Sequence, residues 1–87
     1  MELQQQFESA VTQSKELTQR PSSTELLDLY ALFKQASEGN VRGDRPTGFD
    51  LRAIAKYDAW NALAGKTKEQ AMHEYISLVD RFYQQYK

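Results

Sequence analysis

Two short segments of the chain pair ammonium groups with aromatic rings. Tyr30, Phe33 and Lys34 lie in Tyr30-Ala31-Leu32-Phe33-Lys34-Gln35-Ala36, and Lys56 opens Lys56-Tyr57-Asp58-Ala59-Trp60-Asn61. On a helix, Tyr30 and Lys34 stand four apart and share a face, with Phe33 adjacent. A flat ring can stack on such an aromatic face while the Tyr30 hydroxyl and the Lys34 ammonium hold a phosphate oxygen. Charge-assisted bonds of this kind are roughly 1.5–3 kcal/mol each when water is partly excluded. Lys56, from another helix, can bring a second positive charge to the same phosphate. The combination suits a ligand with both a ring and phosphates. For any one of these lysines the plainer reading is a solvated head whose stem lies on apolar surface. Spacing alone does not establish that they converge.

The composition narrows the field. With 87 residues, positions 1–87 read as a single domain with one core. The formal net charge of −1 gives no overall attraction to nucleic acid or anionic lipid, so an anion must be held by a local constellation. The chain has no cysteine, which removes disulfides, thiol nucleophiles and thiolate metal sites and fits a reducing compartment. Met1-Glu2-Leu3-Gln4-Gln5-Gln6 lacks the basic and apolar regions of a signal peptide. The longest apolar run, Leu29 to Phe33, is far too short to span a bilayer. A cytoplasmic protein without stable membrane insertion is expected. His73 shares a polar face with Ser77, Asp80 and Gln84 and reads as a surface residue. Without a glycine-rich phosphate loop, nucleophile elbow or HExxH, no catalytic residue, metal site or cofactor is expected.

Four amphipathic segments must position the candidate residues. Leu3, Phe7, Ala10, Val11 and Leu17 mark a first helix that Arg20-Pro21 ends, because proline excludes the α region from the residue before it. Ser22 and Glu25 form a capping box ahead of a second helix. Its apolar residues, from Leu26 to Ala36, cover so wide an arc that it must be wrapped on more than one side or line a pocket as well as a core. Gly39 suits its C-terminal end. Residues 39–49 hold no helical period and read as a long ordered connection. Asp50 caps a third helix with Leu51, Ile54, Tyr57, Trp60 and Leu63, ended by Gly65. Thr67 and Gln70 cap a fourth, with Met72, Tyr75, Ile76, Val79, Phe82, Tyr83 and Tyr86 on its stripe. Tyr75 and Trp60 read on pattern as core residues. The sequence therefore predicts an all-α bundle of four helices.

Read in order, Phe7, Ala10, Arg20-Pro21, Tyr30, Lys34-Gln35-Ala36, Gly39, Arg45-Pro46, Asp50, Ala55-Lys56-Tyr57-Asp58-Ala59-Trp60-Asn61, Gly65, Ala71-Met72 and Tyr75 give the chain a close resemblance to the acyl-CoA-binding proteins. The resemblance implies an up-down-down-up bundle with a long overhand connection between helices 2 and 3. It implies a ribose 3′-phosphate held by Tyr30, Lys34 and Lys56, and an adenine among Tyr30, Phe33 and Tyr75. Lys15 is expected near the rest of the nucleotide and the pantetheine arm, and Ala31 and Leu32 are counted with the same binding segment. Val11, Leu26 and Leu27 correspond to the walls of an acyl groove. The implied function is high-affinity binding and transport of long-chain fatty acyl-CoA by a monomer, with transient contact to acyl-CoA-using enzymes and no catalysis.

Some positions depart from the family's usual pattern. Tyr57 stands in place of a common tryptophan, Phe33 in place of a tyrosine, Val11 in place of a smaller alanine and Ile54 in place of a basic residue. The rival reading is a helical module that takes an amphipathic peptide into the same groove. An enzyme acting on the thioester needs a base or nucleophile that these groove residues do not offer.

Overall fold

Ser22 and Thr67 start two helices by the same device. The Ser22 hydroxyl accepts from the Glu25 amide at 3.2 Å while Glu25 Oε1 accepts from the Ser22 amide at 2.8 Å. Thr67 and Gln70 repeat the exchange at 3.0 and 2.9 Å. Each box satisfies two amides that a helix N-terminus leaves free. Asp50 Oδ1 caps a third helix by accepting from the Ala53 amide at 3.0 Å. In the computed structural model the helices are α1 (Leu3–Lys15), α2 (Ser23–Glu38), α3 (Leu51–Asn61) and α4 (Lys68–Tyr86). The structure describes residues 2–17 and 19–86, apart from the Tyr86 side chain, so the expected place of Tyr86 on the α4 stripe lies outside it. No strand occurs among the described residues.

The buried cluster is drawn from three helices. Phe7 and Ala10 come from α1, Leu29, Leu32 and Ala36 from α2, and Ala71, Tyr75, Leu78, Val79 and Phe82 from α4. Burying a side chain of the size of Phe82 or Leu32 contributes about 1.5–3 kcal/mol. Helix backbones pack in the order α1 on α4, α4 on α2 and α2 on α3. The Cα envelope of 39 × 28 × 15 Å is accordingly shallow. The wide apolar arc of α2 follows from its position between α4 and α3.

The pairings fix the directions. Lys56 of α3 lies over Tyr30 of α2, and Lys34 of α2 lies over Trp60 of α3. These rungs run in the same order along both helices, so α2 and α3 are parallel. Phe7 meets Phe33 near the end of α2, whereas Val11 and Lys15 share a pocket with Leu26 near its start, so α1 is antiparallel to α2. Gln35, late in α2, reaches the carbonyl of Lys66 just before α4, which makes α4 antiparallel as well. This is the expected up-down-down-up bundle, and its parallel middle pair requires an overhand connection. Residues 39–50 supply it, beginning at Gly39, whose φ of +82° suits glycine and whose amide donates to the Gln35 carbonyl at 3.0 Å.

Two side chains of α3 hold the connection down. Arg45 Nε and Nη2 donate to the two carboxylate oxygens of Asp58, both at 2.8 Å, and the Tyr57 hydroxyl donates to the Gly43 carbonyl at 3.1 Å. At the end of α2, the fully buried Gln35 ties four segments together. Its Nε2 donates to Asn40 Oδ1 at 2.9 Å and to the Lys66 carbonyl at 2.8 Å. Its Oε1 accepts from Trp60 Nε1 at 3.0 Å, which also donates to the Gly39 carbonyl at 2.9 Å. Asn40 Oδ1 takes a further bond from the Gly65 amide at 2.9 Å.

The structure differs from the sequence expectation in four places. Helix α1 ends at Lys15, well short of Pro21; Leu17 packs on the core from outside the helix, and Pro21 is itself buried. Helix α3 ends at Asn61, with Gly65 in the turn beyond. No residue of α3 is fully buried, because that helix has a single backbone neighbour. Tyr83 is 43% exposed, since Val79 and Phe82 take the inward positions at that level of α4.

Replacing Gln35 with leucine keeps much of its volume but removes the donors to Asn40 and Lys66. Urea unfolding is expected to show a loss of about 1–3 kcal/mol. A second expectation concerns pH. The hydrogen bond from Arg45, followed by its charge, holds the Asp58 carboxyl below its ordinary range. The folded state therefore binds that proton more weakly than the unfolded chain. The contribution of the pair is complete above the ordinary carboxylate pKa and is lost as pH falls through the lowered one. The stability difference between the native chain and Asp58→Asn should close over that acidic window, as followed by thermal melts at successive pH values.

Candidate ligand-binding site

The parallel α2/α3 pair brings the two lysines of interest into one interface. Lys56 Nζ sits 5.0 Å from the centroid of the Tyr30 ring, and Lys34 Nζ sits 5.0 Å from that of Trp60. Each ammonium is attracted to the face of a ring from the opposite helix, an interaction that strengthens as water is excluded. The rungs are four residues apart on both helices, about 6 Å of axial rise. Lys34 also pairs with Glu38, one turn on along α2. The two cations thus lie on the same seam of the molecule, each with its position already set by a ring.

Apolar space opens beside this seam. A pocket of about 300 Å³ lies between α1, α2 and α4, and Val11, Lys15, Leu26, Tyr30, Phe33 and Tyr75 all line it, with Ser14 and Leu29. A second pocket of about 480 Å³, between α2 and α3, is lined by Leu26, Leu27, Ala55 and Lys56, with Arg20, Ser23, Leu51 and Arg52 at its edges. Leu26 belongs to both, so the two spaces adjoin across one side chain of α2. An apolar chain has walls to lie against here, with Lys56 lining one pocket and Lys15 the other.

The three rings at the first pocket differ in what they offer. Phe33 is 38% exposed and presents an open face. Tyr30 is half-buried, and the Lys56 ammonium already stands over its ring. Tyr75 is a core residue: its ring meets Phe7 edge-on at 5.2 Å, and its hydroxyl donates to Ser14 Oγ at 3.2 Å. Ser14 Oγ in turn donates to the Val11 carbonyl at 2.7 Å. Burial pushes the Tyr75 phenol above its ordinary pKa, with the bond to Ser14 acting the other way. Tyr75 therefore brings a neutral, fixed hydroxyl to the pocket wall.

Ala31 and Leu32 are placed differently from the rest of the expected set. Both are buried, and both line a separate pocket of about 480 Å³ between α2, α3 and α4. The 100° step between successive helical residues turns them away from Tyr30 and Phe33. The partners of Lys34, Glu38 and Trp60, line a further pocket of about 360 Å³ with Asn40 and Arg42.

Several residues of this region were not among the expected site residues. Ser14 accepts from the Tyr75 hydroxyl, Arg52 lines a pocket with Lys56 one turn away on the same helix, and Arg20 joins them there from the α1–α2 connection. Gln35 had a readable signal: it is a polar residue three positions after Leu32, on the arc that α2 buries. The Arg45–Asp58 pair had none, because it joins a loop to a helix.

With the geometry in hand, the chain can be set beside known proteins. The family model described as Acyl CoA binding protein matches residues 4–79. The acyl-CoA-binding protein homolog of Drosophila melanogaster is 49% identical over 76 residues, covering 87% of this chain and 88% of that protein. The acyl-CoA-binding protein of Dictyostelium discoideum is 42% identical over 80 residues, covering 92% of this chain and 95% of its own length. The crystal structure of Oryza sativa acyl-CoA-binding protein 2 superposes with a TM-score of 0.92 at 40% identity, over 97% of this chain and 93% of that one. The chain belongs to the acyl-CoA-binding protein family.

Proposed function

We propose that this protein binds long-chain fatty acyl-CoA esters with high affinity and acts as an intracellular carrier and pool former, without catalysing a reaction. The observation that carries the reading is the seam of Lys56 over Tyr30 and Lys34 over Trp60, bordered by two apolar pockets that meet at Leu26. Family membership and the names of the relatives support the same ligand.

In this reading Lys34, Lys56 and the Tyr30 hydroxyl hold the 3′-phosphate. The adenine packs against the open face of Phe33, with Tyr30 and Tyr75 completing the aromatic surround. Lys15 meets the remaining phosphates or the pantetheine arm. The acyl chain lies along Val11, Leu26 and Leu27, while Ala31 and Leu32 back the segment from the core side. Burying the chain contributes roughly 0.8 kcal/mol per CH₂ before association costs, so ten or so methylenes separate long acyl-CoA from free coenzyme A. The phosphate contacts separate the ester from a free fatty acid. No cofactor is needed, and a monomer in the cytoplasm passing its cargo to acyl-CoA-using enzymes fits this chemistry.

Calorimetric titration with palmitoyl-CoA tests the assignment. Lys34→Ala and Lys56→Ala should each weaken binding by about 1.5–3 kcal/mol while leaving the helical spectrum unchanged. Native affinity in both variants would overturn it. Glu38→Gln should tighten binding slightly, by less than about 1 kcal/mol, because it releases Lys34 from an exposed competitor.

A further inference from the structure

Two hydrogen bonds in series run along the wall of the pocket between α1, α2 and α4. Tyr75 and Ser14 both line it; the Tyr75 hydroxyl donates to Ser14 Oγ at 3.2 Å, and Ser14 Oγ donates to the Val11 carbonyl at 2.7 Å. The direction of the series is forced from its far end. A carbonyl oxygen has no proton to give, so the serine hydroxyl commits its single proton to Val11. Ser14 Oγ can then only accept, and the phenol proton of Tyr75 goes to it. Burial holds that phenol in its protonated form, so ionisation opens no second arrangement.

The consequence falls on what Tyr75 offers to the pocket. A phenol has one proton and its lone pairs; with the proton committed to Ser14, only lone pairs remain for a ligand. The ring is not free to move away from this arrangement, because it is 4% exposed and held edge-on by Phe7 at 5.2 Å. An N–H group brought to this oxygen gains a hydrogen bond, whereas a carbonyl or phosphate oxygen brought there meets lone pair against lone pair. Tyr30 lines the same pocket and has the opposite polarity in the proposed complex, since holding a phosphate calls on its proton.

We infer that Ser14 is a positioning residue that makes the Tyr75 hydroxyl a fixed hydrogen-bond acceptor, and that this wall of the pocket thereby selects an N–H donor of the ligand. The inference rests on the proposed acyl-CoA reading and deepens it. Coenzyme A carries such donors in the exocyclic amine of its adenine and in the amides of its pantetheine arm. Its phosphates and carbonyls are acceptors, so a wall that accepts without donating fixes which part of the ligand can lie against it.

Calorimetric titration of the full chain with palmitoyl-CoA, and with its analogue in which hypoxanthine replaces adenine, tests it. The analogue presents an oxygen acceptor where adenine presents its amine. Ser14→Ala and Tyr75→Phe should each weaken palmitoyl-CoA binding by about fivefold, and the double variant should be no weaker than either single one. Ser14→Thr keeps a hydroxyl within reach of the Val11 carbonyl and should bind like the native chain. Where adenine supplies the donor, the native chain binds the analogue about tenfold more weakly than palmitoyl-CoA. Ser14→Ala, whose phenol proton is free to turn, then loses most of that preference. Equal binding of both ligands by the native chain, with both weakened by Ser14→Ala, assigns the donor to a pantetheine amide. Native affinity of Ser14→Ala for both ligands, or additive losses in the double variant, would overturn the inference and leave the proposed function standing. A native chain that binds neither ligand would overturn the proposed function, and this inference with it.

Discussion

The side-chain amide of Gln35 is the interaction on which the rest of the architecture depends. Parallel neighbouring helices do not follow from a short turn; the chain must travel back along the bundle before α3 can start. The start of that excursion, the end of α3 and the entry to α4 are all tied to one buried residue. Gln35 binds Asn40 where the connection begins, Trp60 near the end of α3, and the carbonyl of Lys66 at the entry to α4. A buried amide left unpartnered would be a liability, whereas here both of its ends are used. Trp60, anchored by its indole N–H, then offers its ring to Lys34.

The same logic sets the electrostatics of the seam. A lysine in free solution is strongly hydrated and sweeps out a large volume, and immobilising it opposes binding. Lys34 and Lys56 are already over the rings of Trp60 and Tyr30, so part of that ordering belongs to the folded protein and not to complex formation. Preorganisation of this kind matters in a molecule whose overall charge gives an anion no long-range attraction. Apolar space on either side of Leu26 adds a non-directional contribution to a few directional ones.

Much of this could be read from the chain before any coordinates. The capping residues Ser22, Asp50 and Thr67 marked three helix starts, because a hydroxyl or carboxylate at that position meets a local need. Apolar periodicity found Leu29, Leu32 and Ala36 of α2 and Tyr75, Val79 and Phe82 of α4, but it missed the buried Ala31 and Gln35. Periodicity failed where burial depends on neighbours: it could not tell that α3 touches one helix only, nor that Tyr83 would face solvent. The pairing of Lys56 with Tyr30 and of Lys34 with Trp60 was also beyond it, since spacing within a helix says nothing about the register between helices. Resemblance to a known family supplied the overhand connection and the choice of site residues. The separation of Ala31 and Leu32 from their neighbours became visible only once the face of α2 turned to each pocket was known.

The position of α3 at the edge of the layer has a dynamic consequence. The buried cluster is built from α1, α2 and α4, while α3 is fastened by hydrogen bonds, two rings and one exposed ion pair. Such an element opens at a lower free energy than the whole domain, so its amide protons exchange with solvent while the other three helices stay folded. The wall that carries Ala55 and Lys56 is then also the part of the molecule whose local opening costs the buried cluster least.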